Sequence, residues 1–402
     1  MFLLSAVPDA CWAHVAPATE KKLTDDPAYN QAVDLYKHGK FVDAMPLFER
    51  LAADHPSSPE VREGWAWSMF LYAATLTDLE QRKKARARAR TIALQAQKLG
   101  DDSQILHLML EQPEDGGADT KFSDRKDVDD AMRAAEADFA RGDLDKAREG
   151  YLRVVLIDPN NYEAPLFIGD VYFKQQVYGS AGEWFGRAIQ IDPNRETAYR
   201  YWGDDLVAMG KEDEARGKFI DAIVAEPYNN RSWVGLTNWL KDNKLELQIV
   251  RLKDRSAVTV KDEKNINITL DSSLGKDDPN SAAWTAYGLG RAAWHTENYE
   301  KEFPNVTRKR RTLQEEAHAL DLMVKVLKER KDYAKTLKDL DPSLQVFIKI
   351  HEAGFLEPFV LINRADAEIA QDYDAYRASN RDTIRRYFDE FVVPKTPAAA
   401  SQ

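Results

Sequence analysis

Cysteine is almost missing from this chain. Cys11 is the only one in 402 residues, so neither an intramolecular disulfide nor a thiolate metal site can form. Long apolar runs are missing as well. No stretch approaches the roughly 20 apolar residues that a transmembrane helix needs. Basic residues are outnumbered, 56 Lys and Arg against 67 Asp and Glu, for a formal net charge of −11. That balance argues against a nucleic-acid binder, because phosphate contacts require a basic surface. The sequence has no Gly-x-Ser-x-Gly, no Walker loop and no Rossmann fingerprint. The glycines of "GLGRAAW", residues 288–294, sit inside a helical pattern and not after a strand, where they cannot cradle a phosphate. The N-terminal "MFLLSAVPDACWAHVAPA" has no basic n-region, and Pro8 and Asp9 interrupt its apolar part. Residues 1–22 therefore read as a disordered tail or a poor or truncated export signal. The cytoplasm is the expected compartment, with the periplasm or secretion as the alternative.

Apolar residues are abundant, 44% of the chain. They supply core for two or three domains or for one extended array. They also recur in phase. Pro159, Pro193 and Pro227 are spaced 34 residues apart, and each closes a similar run: Ala135, Phe139, Ala147, Tyr151 and Val154 before the first; Gly169, Phe173, Ala181, Phe185 and Ala188 before the second; Gly203, Leu206, Ala215, Phe219 and Ala222 before the third. An earlier copy runs Ala32, Tyr36, Phe41, Ala44, Phe48, Leu51 to Pro56, and a decaying one starts at Asn230. Small residues belong where two helices approach closely, and large ones fill the space beside them. Gly142 and Gly210 suit turns with positive φ, and the prolines end each unit because proline cannot continue a helix.

These residues resemble the tetratricopeptide repeat, a helix–turn–helix unit of 34 residues. The resemblance implies an all-α fold: a right-handed superhelix of helical hairpins. The expected organisation is N-terminal repeat-like units over 23–110, a linker over 111–126 and the main array over 127–250. A small β-hairpin over 251–274 follows, because Val258, Val260, Ile266, Ile268 and Leu270 alternate with polar residues. It is expected to lie on helices and to help cover the array's end. A C-terminal helical region over 275–394 looks like that of some bacterial repeat proteins and carries no motif with a known role. Residues 395–402 read as a disordered tail.

In such a superhelix the first helix of each pair lines the concave face. The resemblance therefore implies a peptide-binding groove formed by Glu136, Phe139, Asp170, Phe173, Lys174, Arg200, Asp204 and Asn238. The family's carboxylate clamp for acidic tails is not matched: Met132 and Leu166 fill one of its positions and acids another. A row of carboxylates flanked by Phe139 and Phe173 would prefer a basic or neutral extended polypeptide. The leading expectation is a non-enzymatic protein–protein interaction scaffold without cofactor. The alternative is an enzyme or enzyme subunit, possibly metal-dependent, with chemistry in the C-terminal helices. Glu315 and His318 have the i, i+3 spacing of a di-iron half-site, but a second Glu-x-x-His is lacking. "HEAGFLE", from His351, lacks the second histidine of a zinc-protease helix. Two basic runs, "RKKARARAR" (82–90) and "RKRR" (308–311), read as solvated charge paired with local acids. In the first, alternate residues lie about 200° apart on a helix, which spreads the charge around it.

Overall fold

The spacing of the prolines is also a spacing in backbone conformation. A computed structural model describes residues 23–38, 40–76, 78–111, 121–262, 265–275, 278–304 and 309–395. Positive φ occurs at Gly142 (82°), Gln176 (61°), Gly210 (70°) and Lys244 (56°), again every 34 residues. At Gly142 the helix ends in a left-handed cap whose N–H bonds to the Phe139 carbonyl at 3.0 Å. Gln176 and Lys244 occupy the same place in units where the sequence offers no glycine. The residues before the prolines, Asp158, Asp192 and Glu226, share a φ near −140° and a positive ψ of 74° to 96°, outside the helical region that proline disfavours in its predecessor.

The chain divides into two compact units, Met1–Asn194 with Asp204–Gly210 and Arg195–Gly203 with Lys211–Gln402. The expected tail or export signal of residues 1–22, much of the expected linker and nearly all of the expected C-terminal tail lie outside the described residues.

The first unit begins with α1 (Pro27–Lys37), α2 (Phe41–Asp54), α3 (Pro59–Thr75), α4 (Leu79–Lys98) and the short α5 (Gln104–Leu110). It continues with α6 (Lys126–Arg141), α7 (Leu144–Ile157), α8 (Glu163–Lys174) and α9 (Tyr178–Ile191). Side-chain caps at Asp26, Ser58, Asp78 and Ser103 open α1, α3, α4 and α5. Paired helices meet through glycines: a Cβ on Gly64 would lie 2.7 Å from the Phe48 ring, and one on Gly169 would lie 2.5 Å from Phe185. Part of the expected linker is packed. Phe122 meets Phe167 edge-on at 6.2 Å, and its N–H bonds to Asp129 at 2.8 Å.

Helix α10 (Glu196–Ala208) contributes to both units. The second continues with α11 (Glu212–Ala225) and α12 (Asn230–Asp242). Phe219 fits between Gly203 and Gly235, either of which would clash with it if it bore a Cβ. Strands β1 (Ser256–Asp262) and β2 (Asn265–Leu270) form the antiparallel hairpin, with Val258 opposite Ile268. Ser256, Val258, Ile268 and Leu270 turn inward, while Ala257, Thr259, Asn267 and Thr269 are exposed. The rest is helical: α13 (Pro279–Ala293), α14 (Tyr299–Glu302), α15 (Leu313–Lys328), α16 (Tyr333–Asp339), α17 (Pro342–Glu352), α18 (Leu356–Phe359) and α19 (Tyr373–Tyr387), with π-helical turns at 294–298, 360–364 and 388–392. The fold is all-α with one small hairpin among the described residues, as expected.

The hairpin does not cover the repeats. It closes on α13, where Gly288 leaves room for Ile268; a Cβ there would come within 2.7 Å. The end of the second unit's repeat helices is covered by α19 and the residues after it. Tyr373 donates to the Val224 carbonyl at 2.7 Å, Arg377 to the Ala225 carbonyl, and Phe388 packs on Trp233 at 5.9 Å. Buried Arg216 on α11 pairs with Asp389 at 2.6 Å and donates to the carbonyls of Val393 and Pro394. Helix α19 can reach these carbonyls at the C-terminus of α11; a hairpin satisfied by its own ladder has fewer donors to offer.

Candidate functional site

Four expected groove residues gather in the first unit: Glu136 and Phe139 from α6, and Asp170 and Lys174 from α8. Glu136 is half-buried and accepts a hydrogen bond from the Tyr151 hydroxyl on α7. Burial pushes its carboxyl up to about 7; the Tyr151 hydrogen bond opposes this and the charge of Asp170 adds to it. Tyr151 is itself pushed well up, chiefly by burial and then by Glu136. Asp170 is 6% exposed. The Lys174 ammonium lies 4.9 Å from the Phe139 ring centroid and 5.7 Å from that of Phe41 on α2. Burial lowers its pKa and Asp170 works the other way. Phe173 turns from this cluster to Tyr178, 5.6 Å away. Tyr151 and Phe41 were not anticipated. Tyr151 fills the position held by Phe185 and Phe219 in the next two repeats, so its hydroxyl was the available clue. Nothing in the sequence pointed from Phe41 to Lys174.

The other expected residues are placed differently. In the second unit Arg200 is 4% exposed and bound to Glu196 through Nε–Oε2 at 2.9 Å and Nη2–Oε1 at 3.3 Å, with its guanidinium over Tyr201. Its charge is used within its own helix. Asn238 is exposed on α12. Asp204, on the part of α10 that belongs to the first unit, is half-buried.

The groups considered for metal chemistry are engaged in ion pairs or, for His318, a ring contact. Glu315 binds Arg291 at 2.9 Å, and the His318 ring lies 5.4 Å from Trp294. Glu316 is buried among Arg311, Arg364 and the Tyr287 hydroxyl at 2.7, 2.5 and 3.0 Å. Burial alone would raise its pKa, but the two guanidiniums outweigh it and hold the carboxyl below its ordinary value. His351 pairs with Asp321 at 2.9 Å. Among the described residues no group of three or more His, Cys, Asp and Glu could hold a metal ion, and no helix is long and apolar enough to cross a membrane. Of the run at 308–311, Arg308 lies outside the described residues; Lys309 pairs with Glu300, Arg310 with Asp372, and Arg311 with Glu316 and Asp366.

Residues 132–196, which include Glu136, Phe139, Asp170 and Lys174, match a sequence family described as tetratricopeptide repeat. That segment carries tetratricopeptide repeats. Repeats of this kind mediate protein–protein interaction. A curated relative, the cell division cycle protein 27 homolog of Caenorhabditis elegans, is 34% identical over 68 residues, which is 17% of this chain. The chain spans only 9% of that relative's length. Among solved structures, the P58(IPK) TPR domain is 13% identical, covers 90% of this chain and 96% of its own, and has a TM-score of 0.26. "MamA MSR-1 C2" is 16% identical, covers 45% of this chain and 87% of its own, and also has a TM-score of 0.26.

Proposed function

We propose that the chain is a non-enzymatic scaffold whose tetratricopeptide repeats hold an extended, basic or neutral polypeptide. The observation that carries this reading is the placement of Lys174. Within the chain its ammonium stands where a ligand cation would stand, against the rings of Phe139 and Phe41 and attracted by Asp170. Burial is the main cause that raises the Glu136 carboxyl to about 7, and repulsion from Asp170 of the next repeat adds to it. A lysine or arginine from a partner would relieve that repulsion, while an acidic tail would increase it. The net charge of −11 supports a polypeptide partner over a nucleic acid.

The test is fluorescence anisotropy with labelled peptides that are lysine-rich, neutral or glutamate-rich. The unaltered chain should rank them in that order, and less sharply at high salt. A triple variant, Glu136→Asn, Asp170→Asn and Asp204→Asn, should lose the ranking while circular dichroism shows its helices intact. Equal affinity of the variant and the unaltered chain for the lysine-rich peptide at low salt would sink the reading.

A further inference from the structure

Within the first unit the groove positions grow more open along the chain. Phe139 and Val207 hold the same place two repeats apart; Phe139 is 9% exposed and Val207 36%, with half-buried Phe173 between them. One residue on, Ala140 is buried, Lys174 half-buried and Ala208 exposed. The closed end has a cover that comes from the chain itself. Ala135 on α6 faces α7, where a Cβ on Gly150 would lie 2.7 Å from it. At about 100° per residue, Ala137 and Ala140 lie about 200° and 140° around the helix from Ala135, and both are buried too. Helix α6 packs on α3 and α2 as well as on α7. A helix lining an open groove would leave that second side to solvent. From α2, Phe41 also reaches the next repeat, so that Lys174 of α8 stands against both Phe41 and Phe139. Phe41 is 4% exposed and meets Tyr36 of α1 edge-on at 5.3 Å, so it moves with the α1–α2 hairpin and not alone.

We propose that helices α1–α3 are an internal occupant of the groove, an autoinhibitory contact that must lift from α6 and α8 before a partner polypeptide can bind there. The proposal rests on the reading above and divides its residues: Glu136, Phe139 and Asp170 belong to the groove, and Phe41 belongs to its cover. Segments of one chain meet at a high effective concentration, so the cover competes well with a partner that must arrive from solution. The apparent affinity of the groove is then reduced to the fraction of molecules that are open. The closed form also holds a cation of its own, Lys174, against Phe139 and drawn by Asp170, which is the contact a basic partner would otherwise make.

The experiment uses the full chain, the labelled lysine-rich peptide and one variant, Phe41→Ala. The two roles open to Phe41 give opposite signs. If it covers the groove, the variant should bind the peptide several-fold more tightly, because more of the population is open. If it is a wall of the site, the variant should bind more weakly, and that result overturns the proposal. Equal affinities overturn it as well and leave the reading of the groove intact. Hydrogen exchange on the unaltered chain is an independent measure: saturating peptide should speed exchange in α2 and α3 and slow it in α6. Peptide binding with unchanged or slower exchange in α2 and α3 would sink the proposal, and this arm decides alone if Phe41→Ala loses its helical circular dichroism. Labelling of Lys174 by an amine-acylating reagent, read by mass spectrometry, should be faster in the variant. A folded variant whose Lys174 is opened in this way and which still binds no peptide defeats the reading of the groove, and the proposal with it.

Discussion

Gln176 is the plainest case of a residue working against its own backbone. It sits at φ 61° in a turn that two sister repeats build with glycine. A residue with a Cβ in the left-handed region costs about 1–2 kcal/mol there, part of which glycine gives back through its freedom in the unfolded chain. Gln176→Gly should therefore stabilise the fold by about 0.5–1 kcal/mol, measured by urea denaturation. A loss of stability would mean that the exposed Gln176 side chain makes up for the strain. Glu136 gives a second prediction at this scale. Its folded pKa is raised from 4.5 to about 7, so between those values the native state binds more protons than the unfolded one. Stability should then fall as pH rises through that window. Glu136→Gln should flatten this dependence, which shows as a smaller difference between urea midpoints near pH 5 and near pH 8. An unchanged pH profile would mean that Glu136 is not the group that titrates.

Within the helix pairs, the balance of small against large residues decides stability. Phe185 is 1% exposed and its ring fills the notch that Gly169 leaves. Phe185→Ala should cost about 3–5 kcal/mol. Gly169→Ala should cost about 1–3 kcal/mol from the opposite side, by overpacking. Because the two residues touch, the double variant should cost less than the sum of the singles. Additive costs in a double-mutant cycle would show that the contact is not what couples them. The pairing of small with large was legible in the sequence because the 34-residue phase aligned Gly169 with Gly203 and Phe185 with Phe219. The turns were half legible: Gly142 and Gly210 declared themselves, while Gln176 and Lys244 took the same conformation without a glycine to signal it.

Across the molecule, each unit completes itself with residues far away in sequence. In the second, Arg216 reaches the backbone of Val393 and Pro394 and the carboxylate of Asp389. Removing one partner of a buried pair leaves the remaining polar groups uncompensated. Arg216→Met should cost about 3 kcal/mol and loosen the packing of Phe388 on Trp233, visible as a change in tryptophan fluorescence. A stability loss below about 0.5 kcal/mol would mean that α19 covers the repeat helices without this grip. In the first unit, Phe41 supplies a ring to Lys174 from the first copy of the repeat, a meeting that no local pattern announces.

The sequence by itself determined the helical class, the 34-residue phase, the glycine–phenylalanine pairing and the hairpin with its register face. All of these follow from periodicity and backbone chemistry within a few turns of chain. Tertiary structure alone decided which faces remain open. It placed Lys174 between Phe139 and Phe41, committed Arg200 to Glu196 and spread α19 over α11. These outcomes depend on which distant surfaces meet. A one-dimensional pattern records which residues share a face but carries no term for what covers it.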